Sequence, residues 1–307
     1  MKSTVWLMGM ALIAMASSAA ATPTLPGGLE DKRAMQVCFR ARAMVSPAAR
    51  VAACGAVIVG GGPTDRIKRA LVARANAFLA QGDNARAISD FSGAIDLDPQ
   101  DPGPLADRAL VRDNLGDHKG AVEDASRAIL LRPSLAPAYS TRGNARDVLG
   151  DHQGALADYD KAISLDPNFG LVFFNRGVVH GALGDDDKAV ADYGEAIRLM
   201  PANPSPLVNR AVLRMRHGQL DGALADLDQA IKLKPDMAIA ILDRGLILDV
   251  QGHGDEARRA MDKALALQPD LAAGYCARAK LRRKAGDAGG ADEDLARAAK
   301  IDPKACD

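Results

Sequence analysis

Prolines stand at Pro99, Pro133, Pro167, Pro201, Pro235, Pro269 and Pro303, 34 residues apart with no insertion across seven units. A chain that keeps one spacing for so long is built from copies of a single supersecondary unit stacked on one another. Counting back from the prolines shows what the unit is. Gly stands 17 residues before each, from Gly82 to Gly286, and Ala stands 12 before (Ala87 to Ala291) and 5 before (Ala94 to Ala298). Glycine takes left-handed backbone angles without strain, so it ends one helix and turns the chain. Asp follows it at Asp83, Asp117, Asp151, Asp185 and Asp287, where it can cap a second helix. The alanines let neighbouring helices approach closely. The proline lacks the N–H that a helix interior needs, so it stops the second helix or opens the next unit. Each unit therefore reads as a helical hairpin that buries its apolar face only against its neighbours.

This 34-residue pattern of Gly, Ala, Ala and Pro resembles the tetratricopeptide repeat family. The resemblance implies an all-α fold, a right-handed superhelical solenoid of helix–turn–helix repeats. Where that family often carries Trp near the start of the first helix, this chain has Leu71, Leu105, Tyr139, Phe173, Leu207, Ile241 and Tyr275, which fill similar space. The expected organisation is a signal peptide at 1–21, a flexible leader at 22–28, a degenerate N-terminal hairpin acting as a cap at 29–67, and seven repeats with a short tail at 68–307. The cap is expected to hold helices at 29–45 and 47–59.

The signal-peptide reading rests on Lys2, the apolar run Val5–Ala16, and small residues that place Ala19 and Ala21 before Thr22. The apolar run is shorter than the roughly 20 residues a spanning helix needs. Export is therefore expected, with the periplasm as the compartment and no membrane span after cleavage. Lys+Arg and Asp+Glu both number 39, a balance that gives no footprint for nucleic acid.

The charged residues follow the repeat. Arg stands 25 residues before every proline and Asp 9 before it in six units. The expected structural ion pairs are Arg74–Asp90, Arg108–Asp124, Arg142–Asp158, Arg176–Asp192, Arg210–Asp226 and Arg278–Asp294; in the sixth unit Arg244 faces Ala260. Because the partners track the fold unit, pairing between the two helices of each hairpin is favoured over an anion-binding ladder. The histidines (His118, His152, His180, His217 and His253) are spread one per unit, mostly at the turns, and are expected to be exposed rather than metal-binding. No catalytic motif stands out, so no enzyme activity, metal or cofactor is expected. Four cysteines in an exported chain suggest disulfides. Cys38 and Cys54 share the 16-residue separation of the ion pairs, and Cys276 and Cys306 are the candidates for a second bridge.

The resemblance implies that the first helices line a concave groove that holds an extended peptide or a helix. The candidate lining is Phe174 and Val178, Val208 and Val212, Leu242 and Leu246, three i,i+4 pairs, with Asn175, Asn209 and Asp243 beside them. Asp107, Asp113 and Asp147 make one end of this face acidic, whereas Lys280, Arg283 and Lys284 make the last unit basic. The expected function is a non-enzymatic protein–protein interaction scaffold of the cell envelope whose partner is a protein or peptide. The alternative is a structural solenoid that self-assembles through its end faces, as a homodimer through the C-terminal repeat.

Overall fold

The computed structural model describes residues 27–41 and 44–306. The expected signal peptide, and all of the expected leader except its two glycines, lie outside them. The described residues form two compact units, one ending at Asp83 and one beginning at Asn84. Among them every regular element is a helix, apart from one short 3₁₀ segment.

The first unit holds α1 (Gly27–Cys38), α2 (Pro47–Gly60) and α3 (Thr64–Leu79). Three expectations are corrected here. Gly27 and Gly28, placed in a flexible leader, are already helical. The helix expected over 29–45 ends at Cys38, where the Arg50 guanidinium reaches over from α2 and donates to the Cys38 and Ala41 carbonyls, both at 3.2 Å. The Cys38 carbonyl is one that a helix end leaves unpaired; that of Ala41, beyond the helix, also accepts from the Met44 N–H at 3.0 Å. The boundary expected between 67 and 68 falls inside α3, because the helix starts directly after Pro63. Cys38 and Cys54 form a disulfide between α1 and α2, in a small core with Val57 and Ala70.

The second unit begins with α4 (Asn84–Leu97). Six hairpins follow: α5 (Pro102–Asn114) with α6 (His118–Leu131), α7 (Ala136–Val148) with α8 (His152–Leu165), α9 (Gly170–Ala182) with α10 (Asp186–Leu199), α11 (Ser205–Arg216) with α12 (Leu220–Leu233), α13 (Ala238–Val250) with α14 (Gly254–Leu267), and α15 (Ala272–Lys284) with α16 (Ala288–Ile301). Each helix packs on the next, and first helices also touch first helices of neighbouring hairpins. All seven turn glycines have φ between 70 and 85°. In the first hairpin Gly116 N–H donates to the Asp113 carbonyl (3.0 Å) and Asp117 N–H to that of Arg112 (2.9 Å), the bonding of a left-handed helix cap. Asp117, Asp151 and Asp287 then cap the following helices through Gly120, Gly154 and Gly290. The repeat proline follows the second helix: the residue before it is pushed to extended angles, as at Asp166 (φ −138°, ψ 91°). It stops that helix and does not open the next.

Every alanine of the two expected columns is fully buried. The residues in the family's Trp position are also buried from Leu105 onward, with Leu71 half-buried. Cys276 and Cys306 form a second disulfide, and Ala305 and Cys306 pack against Tyr275, Ala298 and Leu265. No helix among the described residues is long and apolar enough to cross a membrane.

Candidate partner-binding surface

The ion-pair ladder fixes each first helix against its second helix. Arg142 donates Nε and Nη2 to the two oxygens of Asp158 at 2.9 and 2.7 Å. The same fork joins Arg108 to Asp124, Arg176 to Asp192, Arg210 to Asp226 and Arg278 to Asp294. Two parallel charge-assisted bonds fix geometry as well as energy. Hydrogen bonding to Asp124, Asp192 and Asp294 holds the Arg108, Arg176 and Arg278 guanidiniums above their ordinary range. Arg74 and Asp90 belong to different units, and their pairing remains a proposal.

The ladder has two further layers that the sequence reading missed. A second arginine four residues on (Arg112, Arg146, Arg214, Arg282) donates to the same aspartate in four hairpins, at 2.7 to 3.1 Å. The ladder arginine also reaches back one repeat: Arg108 to Ser92, Arg142 to Ser126, Arg176 to Asp160 and Arg278 to Asp262. Each of these four arginines thus ties three helices together, whereas Arg210, with Gly194 one repeat back, bonds only to Asp226 among the described residues. The second arginine recurs 21 residues before the proline, a column the sequence shows; the backward acceptor stands 7 before it but changes between Ser, Asp and Gly. Tyr139, Phe173 and Tyr275 lie under the guanidiniums three residues ahead, with ring centroids 5.5 to 5.6 Å away, within cation–π range.

The candidate groove residues divide. Val178 and Val212 are 37% and 41% exposed, and Phe174 is half-buried against Tyr193 with ring centroids 6.0 Å apart. Val208 and Leu242 are closed off inside hydrophobic cores, and Leu246 packs on the second of these. In the first two pairs one member, Val178 or Val212, reaches the surface; in the third both members belong to the packing, and Val208 and Leu242 leave the candidate surface. Asn175 donates to Asn144 Oδ1 at 2.8 Å, and Tyr159 donates its hydroxyl to the same oxygen at 2.9 Å. Asn209 approaches the Tyr193 hydroxyl at 3.5 Å. A cleft of about 330 Å³ opens here, lined by Asn144, Asp147, Tyr159, Phe174, Asn175 and Val178 among others. Burial, reinforced by Asp147, Asp113 and Asp158, raises the Tyr159 phenol well above its usual range, so it stays protonated and keeps its hydrogen bond to Asn144.

Asp243 continues the Asn175–Asn209 column into the next repeat. Unlike them it has no hydrogen-bond or ion-pair partner among the described residues, and burial pushes its carboxyl up to about 6. The charges expected to polarise this face are mostly paired locally instead. Asp113 meets His118 and Asp147 meets His152, each at 2.7 Å; Lys284 pairs with Asp249 and Arg283 with Asp292. His217 and His253 are exposed as expected, and the other three histidines are less so. His118 and His152 are half-buried in these pairs, and His180 is buried, with Nδ1 3.3 Å from Asp185 but out of hydrogen-bond alignment. Among the described residues no His/Cys/Asp/Glu group could hold a metal.

Family models of the tetratricopeptide repeat match residues 65–102, 136–169, 172–203 and 208–274, together more than half of the chain. The chain belongs to the tetratricopeptide repeat family. Among solved structures it is similar to YrrB, described as a TPR protein with an unusual peptide-binding site (23% identity, TM-score 0.53, 61% of this chain and 97% of that one). It is similar to a tetratricopeptide repeat protein from Parabacteroides merdae (18% identity, TM-score 0.58, 76% and 93%). It also resembles a chain of the APC/C hetero-tetramer Cut9–Hcn1 (17% identity, TM-score 0.62), matching over 90% of its own length and 53% of the other's. At these identities the likeness is one of fold. No curated protein matches the chain.

Proposed function

We propose that this protein is a non-enzymatic scaffold of the cell envelope that holds a peptide segment against the first helices of its central repeats. The observation that carries this is the surface made by α7, α9 and α11, with Tyr159 reaching it from α8. Exposed Val178 and Val212 flank a row of amide and hydroxyl groups from Asn144, Tyr159, Asn175 and Asn209, beside an open cleft. Apolar contacts give a docking peptide its affinity, while amides and hydroxyls satisfy backbone groups that burial would otherwise leave unpaired. The peptide-binding site described for YrrB is in keeping with this use of the fold. The apolar leader with small residues before Thr22, together with two disulfides, supports export to an oxidising compartment.

The test is capture of exported proteins by residues 22–307, compared with a bait carrying Val178→Asp and Val212→Asp that retains its helical circular dichroism. Proteins held by the first bait and lost from the second support the proposal. Equal recovery by both baits, or recovery of further copies of the bait alone, would turn the reading to self-assembly through the C-terminal repeat, where Ile301 is exposed.

A further inference from the structure

The ladder breaks once. In the sixth repeat Ala260 stands where five hairpins of the second unit place an aspartate, and Leu248 stands where four of them carry the second arginine. Arg244 nevertheless remains. It reaches back to Asp228 with Nε at 2.7 Å, and its two Nη groups have no acceptor among the described residues. Its side chain is 31% exposed, against 12 to 20% for the other ladder arginines of the second unit.

Beside it opens a cleft of about 410 Å³ between α12, α13 and α14. Three cations line it: Arg244, Arg259 and Lys263. The last two have no ion-pair partner among the described residues. Ile231, Ile241 and Ala260 give it an apolar wall, and Asp228 and Glu256 also line it. Asp228 is already engaged with the Arg244 Nε.

We propose that this cleft binds a carboxylate. The ligand's oxygens take the Arg244 Nη donors left idle by the loss of the ladder aspartate, with Arg259 and Lys263 adding positive charge. A short aliphatic stem lies on Ile231 and Ile241. Guanidinium groups pair with planar carboxylates through two parallel bonds, and the other five rungs show this chain using that pairing. A free dicarboxylate and an acidic side chain of a partner protein offer the same chemistry. The site is separate from the first-helix surface proposed above and does not depend on it.

Ala260→Asp closes the site by restoring the rung. The residue should fit: the Ala260 Cβ lies 3.2 Å from where a Cβ on Gly245 would stand, as the Asp192 Cβ does from Gly177 in a hairpin with a complete rung. The experiment measures thermal unfolding and titration calorimetry with succinate, with an acetylated, amidated Ala-Glu-Ala peptide, and with its Gln counterpart, at ionic strength fixed by sodium chloride. The wild type should be stabilised by succinate or by the Glu peptide, and not by the Gln peptide. Affinity should fall about tenfold or more in Ala260→Asp and in Arg244→Gln, the loss of one charge-assisted pair. Ala260→Asp should also unfold at higher temperature than the wild type without ligand. A response to succinate alone identifies a free anion as the ligand, and a stronger response to the Glu peptide identifies a protein side chain. No response beyond chloride, or an undiminished response in both variants, overturns the proposal.

Discussion

Replacing Asp158 with Ala should be among the most damaging single changes outside the alanine columns. Asp158 is only 3% exposed and accepts three charge-assisted bonds, two from Arg142 and one from Arg146 at 2.8 Å. Truncation leaves two guanidiniums facing an emptied site. Breaking a buried pair by removing one partner costs about 3–5 kcal/mol. The lower end applies here, because Arg142 keeps Ser126 as an acceptor at 3.1 Å and Arg146 lies 3.7 Å from Asp151. The expected loss is therefore about 3 kcal/mol. Asp158→Asn preserves the shape and one acceptor, and should lose about half as much. Urea unfolding followed by circular dichroism at the helix band measures both. Stability falling by less than about 1 kcal/mol in Asp158→Ala, the range of an exposed pair, would refute the view that the ladder holds the hairpins together.

Three further outcomes follow from the same geometry. Burial raises the Asp243 carboxyl to about 6, while in the unfolded chain it titrates near 4. The folded state therefore holds its proton more tightly, and this residue makes stability fall as pH rises from about 4 to 6. Asp243→Asn should accordingly stabilise the protein at pH 7 by on the order of 2 kcal/mol and leave it nearly unchanged at pH 4, which denaturation at both pH values would show. Gly143→Ala would bring a methyl within 2.7 Å of the Tyr159 ring, so a loss of about 1–3 kcal/mol is expected in urea unfolding. Gly194→Ser should instead raise the unfolding free energy by about 0.5–1 kcal/mol: the site has room, with Arg210 Nη1 3.7 Å from the added Cβ, and Ser supplies the acceptor that Ser92 and Ser126 give in other repeats.

The hairpins were legible in the sequence because their signals are columns. Only glycine accommodates the turn angle, so Gly82 through Gly286 mark every first-helix end, and small residues are required where the buried alanines stand. The Arg–Asp pairs within the second unit were legible for the same reason. What escaped is what depends on a neighbouring repeat or on the third dimension. The backward contact of each ladder arginine uses Ser, Asp or, at Gly194, nothing, so no single residue type marks it. Val208 and Val212 look equivalent as an i,i+4 pair, but packing against adjacent helices buries the first and leaves the second open. The Tyr159 and Tyr193 hydroxyls face the binding surface from second helices, in a column that elsewhere holds Phe91, Ala125, Leu227, Met261 and Leu295. The early end of α1 depends on Arg50, twelve residues further along, reaching the Cys38 carbonyl, which local helix signals do not show.

The claim that the first helices of the central repeats form the binding surface is tested most directly by site-specific photo-crosslinking in the producing cell. A benzophenone side chain would be placed in turn at Val178, at Val212 and, as a control, at Leu130, an 80% exposed second-helix position. The account predicts that the same partner protein is linked from positions 178 and 212 and not from 130. Linking from 130 alone, or from all three positions alike, would contradict it.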